Sequence, residues 1–131
     1  MSLSDEEREA IVFYKKQKAR NTLDEAIGIA ELGYWNAVLN RLYYACYYAT
    51  TALLVHHGLS AHTHSGVIRL FGLQFIIKGL ISKEQGKFYS RLFELRQIGD
   101  YDDFYSFSEQ EVQPLIEPAI KFITTIESLL Q

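Results

Sequence analysis

The segment from Leu42 to Val55 is the feature that most limits what this chain can fold into. It contains no charged side chain and combines aliphatic residues with tyrosine, threonine and alanine. Alanine recurs at positions 37, 45, 49 and 52, which favours a helix over a strand. A helix that is apolar all round is normally buried on every side. We therefore expect this segment to form the central helix of an all-α fold, and it is too short to cross a bilayer.

Capping signals divide the rest of the chain into about five helices. Three serines are each followed three residues later by Glu or Gln, the pattern of a capping box; the pairs are Ser4 with Glu7, Ser82 with Gln85 and Ser108 with Glu111. Glycines at 33, 58 and 79 are expected to end helices. The predicted helices cover about 5–32, 34–57, 63–78, 82–98 and the region after 108, where Pro114 should delay the last helix.

Length and charge limit the class of protein. A chain of 131 residues fits a single domain, 1–131. The net charge of −3 excludes a general positive field, so any RNA contact must be local. Cys46 is the only cysteine, so no intrachain disulfide or cysteine-based zinc site is expected. The acidic N-terminus lacks the apolar core of a signal peptide, and we expect a cytoplasmic location with no membrane attachment.

Arg41 is unusual because it falls within the predicted central helix. It shares a face with Tyr34, Ala37, Tyr44 and Tyr48 at helical spacing. A guanidinium in such a place must be paired, stacked on rings or bound to an anion. The two interpretations are an ion pair with a carboxylate such as Asp100, and capture of an anion or a nucleotide phosphate.

Two further motifs contain candidate site residues. Arg96 precedes Asp100 and Tyr101, which lead into an acidic and aromatic loop; these two residues either lock the loop or belong to a site with Arg96. The second motif, His62-Thr63-His64-Ser65-Gly66, opens a predicted helix. It is explained either by capping through Thr63 or Ser65 or by anion binding at the helix start.

Several short motifs occur in a fixed order along most of the chain. They are Asn40-Arg41-Leu42-Tyr43-Tyr44-Ala45-Cys46-Tyr47-Tyr48-Ala49, Ala52-Leu53-Leu54, His64-Ser65-Gly66, Phe75 to Gly79, Arg96 with Asp100-Tyr101, and Ala119 with Phe122-Ile123. Together they resemble the HEPN-domain family of small prokaryotic proteins. The resemblance implies an up-and-down four-helix bundle with an additional short or C-terminal helix, and a homodimer. It also implies pairing with a minimal nucleotidyltransferase in a toxin–antitoxin-like system.

Many members of that family are metal-independent ribonucleases. In them an Arg steadies the phosphate and a His a short distance along the chain transfers a proton. This chain departs from the pattern, because the corresponding positions hold Cys46, Tyr47 and Tyr48 after Arg41, and Tyr101, Asp102 and Asp103 after Arg96. A tyrosine with an ordinary pKa of about 10 is a poor proton shuttle at neutral pH.

We therefore expect a non-catalytic HEPN-type module that uses no cofactor and no metal. The residues expected to line its site are Arg41, Tyr44, Tyr48, His64, Arg96, Asp100 and Tyr101. The expected ligand is a nucleotide, an RNA segment or a nucleotidyltransferase partner. The alternatives are a ribonuclease toxin with an altered site and a purely structural homodimerisation module. The non-catalytic expectation depends on the fold bringing no histidine beside Arg41 or Arg96.

Overall fold

The computed structural model describes residues 3–131, and every regular element in that range is helical. The helices are α1 (Asp5–Ala30), α2 (Trp35–His56), α3 (His64–Phe71), α4 (Lys83–Tyr101), α5 (Glu109–Val112) and α6 (Ile116–Leu129). A π-helical turn, Gly72–Ile76, continues α3, and a 3₁₀ turn, Gln113–Leu115, joins α5 to α6. The all-α fold class predicted from the sequence is confirmed.

The central helix is α2, as the sequence indicates. α1, α4 and α6 all pack against it, and its buried residues cover one broad side of the helix: Val38, Leu39, Leu42, Tyr43, Ala45, Cys46, Ala49, Thr50, Ala52, Leu53 and Leu54. The opposite side, with Tyr44, Tyr47 and Tyr48, is only half-buried, so the expectation of burial on every side is wrong. The short connection from α1 to α2 makes the two helices antiparallel neighbours, and it turns at Gly33, whose φ of 78° is in the left-handed region. Within residues 3–131, no helix is both long enough and apolar enough to span a membrane.

The helix starts follow the predicted caps closely. Ser4 with Glu7 and Ser108 with Glu111 form complete capping boxes. At the start of α4, Ser82 accepts from the Gln85 backbone N–H at 3.2 Å, but the Gln85 side chain donates to Thr125 of α6 at 3.0 Å. The third predicted box is therefore only half formed, because Gln85 finds a partner across the bundle.

Two predicted helix ends are wrong. The helix predicted to run to Lys78 loses its α-helical pattern at Gly72, and Ile77 donates its N–H to the Gly72 carbonyl five residues back. α4 continues past Ile98 to Tyr101, since Asp102 donates to the Ile98 carbonyl at 3.0 Å. Gly99 does not end the helix; a Cβ there would come within 3.0 Å of the Phe107 ring, so glycine leaves room for that ring.

The segment that follows α4 is held by Asn36 of α2. Its side-chain oxygen accepts from the Phe107 backbone N–H at 2.7 Å, and its amide donates to the Tyr105 carbonyl at 3.2 Å. Phe107 is buried. The interpretation that Asp100 and Tyr101 lock this loop is wrong, because both lie inside α4 and the anchor comes from Asn36 and Phe107 instead.

Candidate functional site

Arg96 is the most buried charged group of the candidate site. Its side chain is 11% exposed, and its guanidinium carbon lies 5.0 Å from the centre of the Tyr43 ring and 5.5 Å from that of Tyr44. Its Nε lies 2.9 Å from Oδ2 of Asp100, one helical turn later on α4. The Nε–H forms no hydrogen bond within residues 3–131, so this contact is a charge pair in which the N–H is not aimed at the carboxylate.

Arg41 does not pair with Asp100. Its Nε and Nη2 donate to Oδ1 of the neighbouring Asn40 at 3.2 and 2.9 Å, and its guanidinium lies 5.4 Å from the centre of the Tyr44 ring. The ion pair considered for Arg41 from the sequence is thus wrong. Arg96 takes the carboxylate because it lies four residues before Asp100 on the same helix, where side chains meet directly.

The start of α3 fixes the position of His64. Thr63 is the N-cap, and its hydroxyl accepts from the Gly66 backbone N–H at 2.9 Å. A Cβ on Gly66 would lie 2.8 Å from that hydroxyl, so a larger residue would disturb the cap. The capping interpretation of this motif is confirmed for Thr63. His64, the first residue of the helix, stacks on Tyr47 with ring centres 4.4 Å apart and planes 10° apart.

The fold brings His64 beside Arg96. Nδ1 of His64 lies 2.6 Å from the Tyr43 hydroxyl and 3.3 Å from Nη1 of Arg96. The sequence premise that no imidazole comes near either arginine is therefore wrong, and the non-catalytic expectation loses the ground on which the sequence placed it. The two residues are 32 positions apart, so no spacing along one helix could have revealed the contact.

The contacts of His64 determine which nitrogen carries its proton. An arginine can only donate hydrogen bonds, so a hydrogen on Nδ1 would face the Arg96 donor. The stable neutral form has a bare Nδ1, which accepts from Tyr43 and Arg96, and a hydrogen on Nε2. Burial and the neighbouring Arg96 charge lower the pKa of His64, which favours this neutral form at pH 7.

This arrangement restricts what His64 can do chemically. Its basic lone pair points at groups of the protein and is not free to remove a proton from a substrate. Its Nε2–H, which forms no hydrogen bond within the described residues, is able to donate to a ligand oxygen. The site is therefore better suited to holding an anion or a polar group than to moving a proton.

The exposed part of the site is a cluster of rings that we call the tyrosine face: Tyr44, Tyr47 and Tyr48 of α2, with His64. Each is half-buried. The Tyr44 and Tyr48 rings lie 5.9 Å apart. Lys18 of α1 places its Nζ 4.6 Å from the centre of the Tyr48 ring, and the guanidinium of Arg41 lies over the Tyr44 ring. The described residues provide no carboxylate partner for either cation.

Six of the seven predicted site residues form one connected set. Arg96 contacts Tyr44, His64 and Asp100, while Arg41 and Tyr48 contact Tyr44. Tyr101 does not join them; its side chain is 80% exposed at the end of α4.

Sequence reasoning missed three residues of the set. Tyr43 positions His64, Tyr47 stacks on it, and Lys18 lies over Tyr48. Tyr43 and Tyr47 are four residues apart and so share a helix face, which is a usable signal. Nothing along the chain linked Lys18 to the tyrosines.

The described part of the site contains no cluster of metal-ligating side chains and no exposed thiol. Among residues 3–131 there is no group of three His, Cys, Asp or Glu residues that could hold a metal ion. Cys46 lies in the core, and burial raises the pKa of its thiol.

Comparison with known proteins places this chain in a family. The chain is 40% identical over 125 residues to a "UPF0332 protein" of Thermotoga maritima, an alignment that covers 95% of each protein. It is 30% identical over 113 residues to "Putative toxin MJ0605" of Methanocaldococcus jannaschii, covering 86% of this chain and 84% of the relative. The crystal structure of TT1696 from Thermus thermophilus has the same fold, with a TM-score of 0.76 and 18% identity over 89% of this chain and 96% of that one. The family model for the HEPN domain matches residues 14–129, and the chain therefore belongs to the HEPN domain family.

Proposed function

We propose that the tyrosine face binds a single-stranded RNA segment or a nucleotide, and that the chain acts as a non-catalytic HEPN-type module of a toxin-related system. The observation that carries the proposal is the parallel stack of His64 on Tyr47, next to Tyr48 and Tyr44, over which lie Lys18 and Arg41. Neither cation has a carboxylate partner within residues 3–131. Half-exposed rings offer platforms for bases, and flanking cations attract the phosphates.

The charges of the chain support RNA binding that is limited to the tyrosine face. The chain as a whole has a net charge of −3, so the surface outside this face would repel a polyanion. Lys15 adds a third cation close to Lys18; its pKa is lowered by burial and by the charge of Lys18. A binding site made of so few cations predicts modest affinity that falls steeply with salt.

The test is a fluorescence anisotropy titration with a labelled single-stranded RNA of about twelve nucleotides and with ATP as competitor, at low and at physiological salt. Stacking on an aromatic side chain is worth about 1–3 kcal/mol per base, so Tyr47→Leu should weaken binding by about tenfold or more. Lys18→Gln with Arg41→Gln should weaken it and lower its salt dependence. Lys121→Gln, an exposed lysine of α6, is the control. Affinity that is equal in all variants would contradict the proposal.

Metal-independent ribonuclease activity is a second candidate, and a specific contact favours it. His64 and Arg96 lie 3.3 Å apart, so the fold assembles the two residue types that the family's ribonucleases use. The word "toxin" in the names of two relatives also supports ribonuclease activity as a candidate. A gel assay of RNA with purified protein in EDTA tests it. Cleavage that is lost in both His64→Asn and Arg96→Gln would establish this function and refute the non-catalytic one.

A protein partner is a further part of the proposal. The family resemblance implies a minimal nucleotidyltransferase as the partner, and the relatives named as putative toxins support a paired system in general. Co-purification of the chain with the product of a neighbouring gene, expressed from the native operon with a tag on one protein only, tests the pairing. A nucleotidyltransferase next door that does not co-purify would contradict it.

A further inference from the structure

A small cavity lies beside Arg96, between α2, the end of α4 and the segment that carries Phe107. It encloses about 200 Å³, less than the ~300–1,000 Å³ of pockets that hold drug-sized ligands, so it suits a group of few atoms. Leu39 and Phe107 provide apolar walls, and Asn40, Arg96 and Asp100 provide polar ones. None of the rings of the tyrosine face lines it. The cavity is therefore a separate space that shares Arg96 with the site described above.

Two donor groups in the walls of this cavity have hydrogen-bonding capacity that the protein does not use. Nη1 of Arg96 is directed at His64 and Tyr44, whereas its Nη2 donates to no group in the described part of the chain. The Nδ2 amide of Asn40 likewise has no acceptor there, since only Oδ1 of this side chain is engaged, by Arg41. Both donors are available to a ligand.

The carboxylate of Asp100 adds acceptors to the same cavity. Its Oδ2 lies 2.9 Å from Nε of Arg96 without a hydrogen bond, and no N–H or O–H among residues 3–131 donates to either of its oxygens. The side chain is 38% exposed, so a ligand can reach it. A carboxylate is able to accept about four hydrogen bonds. The cavity therefore combines two unused donors with a carboxylate whose two oxygens are both available.

We infer that this cavity takes a guanine base. The Watson–Crick edge of guanine has two adjacent donors, N1–H and N2–H₂, followed by the acceptor O6. The two donors match the two oxygens of Asp100, and O6 accepts from Asn40 or Arg96. Single-stranded RNA leaves such base edges open to contact. The inference rests on the proposed binding of RNA or a nucleotide and adds which base is preferred.

The same donors and acceptors disfavour the other three bases. Adenine and cytosine each have one amino group beside an acceptor nitrogen, and that nitrogen would face an oxygen of Asp100. Uracil has one N–H between two acceptor oxygens. Each of these bases would form one hydrogen bond fewer to the charged carboxylate, a loss that lowers affinity by about tenfold or more.

The position of the cavity allows one strand to use it together with the tyrosine face. Asn40, in the cavity wall, holds the guanidinium of Arg41, which lies over the Tyr44 ring. Arg96, in the same wall, donates to the Tyr44 hydroxyl at 3.4 Å. A base in the cavity thus brings its phosphate toward Arg41, and the next base is able to stack on Tyr44.

Three labelled RNAs of about twelve nucleotides that differ only at one central base test the preference by fluorescence anisotropy. The first is all adenine, the second has a central guanine, and the third has a central inosine, which lacks the N2 amino group. The wild type should bind the guanine RNA about tenfold more tightly than the adenine RNA. The inosine RNA should fall between them, because it donates only N1–H to Asp100.

Four variants separate base recognition from general RNA affinity. Asp100→Asn should reduce the guanine-to-adenine affinity ratio to about one, because a carboxamide offers one acceptor group and one donor group. Asp103→Asn removes the same charge from an exposed position and should keep the ratio. Asn40→Asp keeps the oxygen that holds Arg41 but loses the amide donor, so the ratio should fall. Tyr47→Leu should weaken binding of both RNAs and keep the ratio. Circular dichroism checks that each variant is folded.

A titration with GMP and AMP tests the cavity without the tyrosine face. In ¹H–¹⁵N spectra, GMP should shift the side-chain amide signals of Asn40 and AMP should not. Equal affinity for the guanine and adenine RNAs, a guanine preference that persists in Asp100→Asn, or equal effects of GMP and AMP on Asn40 would each overturn the inference, while RNA binding by the tyrosine face would stand. A GMP-specific shift in a protein that binds no RNA would support the inference and contradict the RNA contact instead.

Discussion

The hydroxyl of Tyr43 offers the most direct test of how His64 is held. Tyr43 is fully buried, and its hydroxyl lies 2.6 Å from Nδ1 of His64. Tyr43→Phe removes this one oxygen and leaves the stacked ring in place. The variant should therefore keep the fold and change the hydrogen bonding of the imidazole alone.

The size of the effect follows from the contact that is lost. A hydrogen bond between neutral groups contributes about 1 kcal/mol net to stability. For a chain of this length that corresponds to a fall in Tm of roughly 3–5 °C. Tyr47→Phe is the matched control, because the Tyr47 ring also stacks on His64 but the structure gives its hydroxyl no hydrogen bond within residues 3–131. The control should change stability by less than half as much.

The pH dependence of the variant has a definite sign. The pKa of His64 is lowered in the folded protein, so as pH falls the unfolded chain takes up the proton first. The free energy of unfolding therefore declines as pH falls below the ordinary pKa of histidine. The Tyr43 hydroxyl favours the neutral imidazole, so its removal should raise the pKa of His64 toward the ordinary value. The difference in stability between wild type and Tyr43→Phe should be largest above pH 7 and should shrink at lower pH.

Urea unfolding at several pH values measures the stability, and ¹⁵N NMR of the imidazole reports its tautomer directly. The wild type should show a bare Nδ1 and a protonated Nε2. A hydrogen on Nδ1 of the wild type, or a pKa of His64 that falls in Tyr43→Phe, would refute the argument that the basic nitrogen faces inward. The case against proton transfer by His64 would fail with it.

Three further outcomes are expected. Arg20→Met should destabilise the fold by roughly 0.5–1 kcal/mol in urea unfolding, because Arg20 ties α1 to α6 through two hydrogen bonds to Glu127 of 2.8 and 2.6 Å but is partly exposed to solvent; an unchanged midpoint would contradict this. Ser108→Ala should cost about 1 kcal/mol through loss of the cap on α5, whereas Ser108→Asp should cost little. Cys46 should not react with a thiol reagent until the chain unfolds, because it is buried and its pKa is raised; fast labelling of the native protein would show that the core opens there.

The helices were largely predictable because local signals specify them. Gly33, Gly58 and Gly79, expected to end helices, all have positive φ. The serine caps fixed where α1, α4 and α5 begin. Prediction was poorer at Gly72 and Gly99, two glycines that lie within helical backbone. A glycine permits a turn without requiring one, so its effect depends on what packs against it.

The sequence by itself determined the family resemblance, the central position of α2 and the candidate residues of the site. These depend on residue type and on spacing within one helix, both of which can be seen along the chain. Tertiary structure alone decided that Arg96, rather than Arg41, joins His64, and that the basic nitrogen of this histidine faces Tyr43 and Arg96. Those contacts join α2, α3 and α4, and their geometry is fixed only when the three helices pack around a common core.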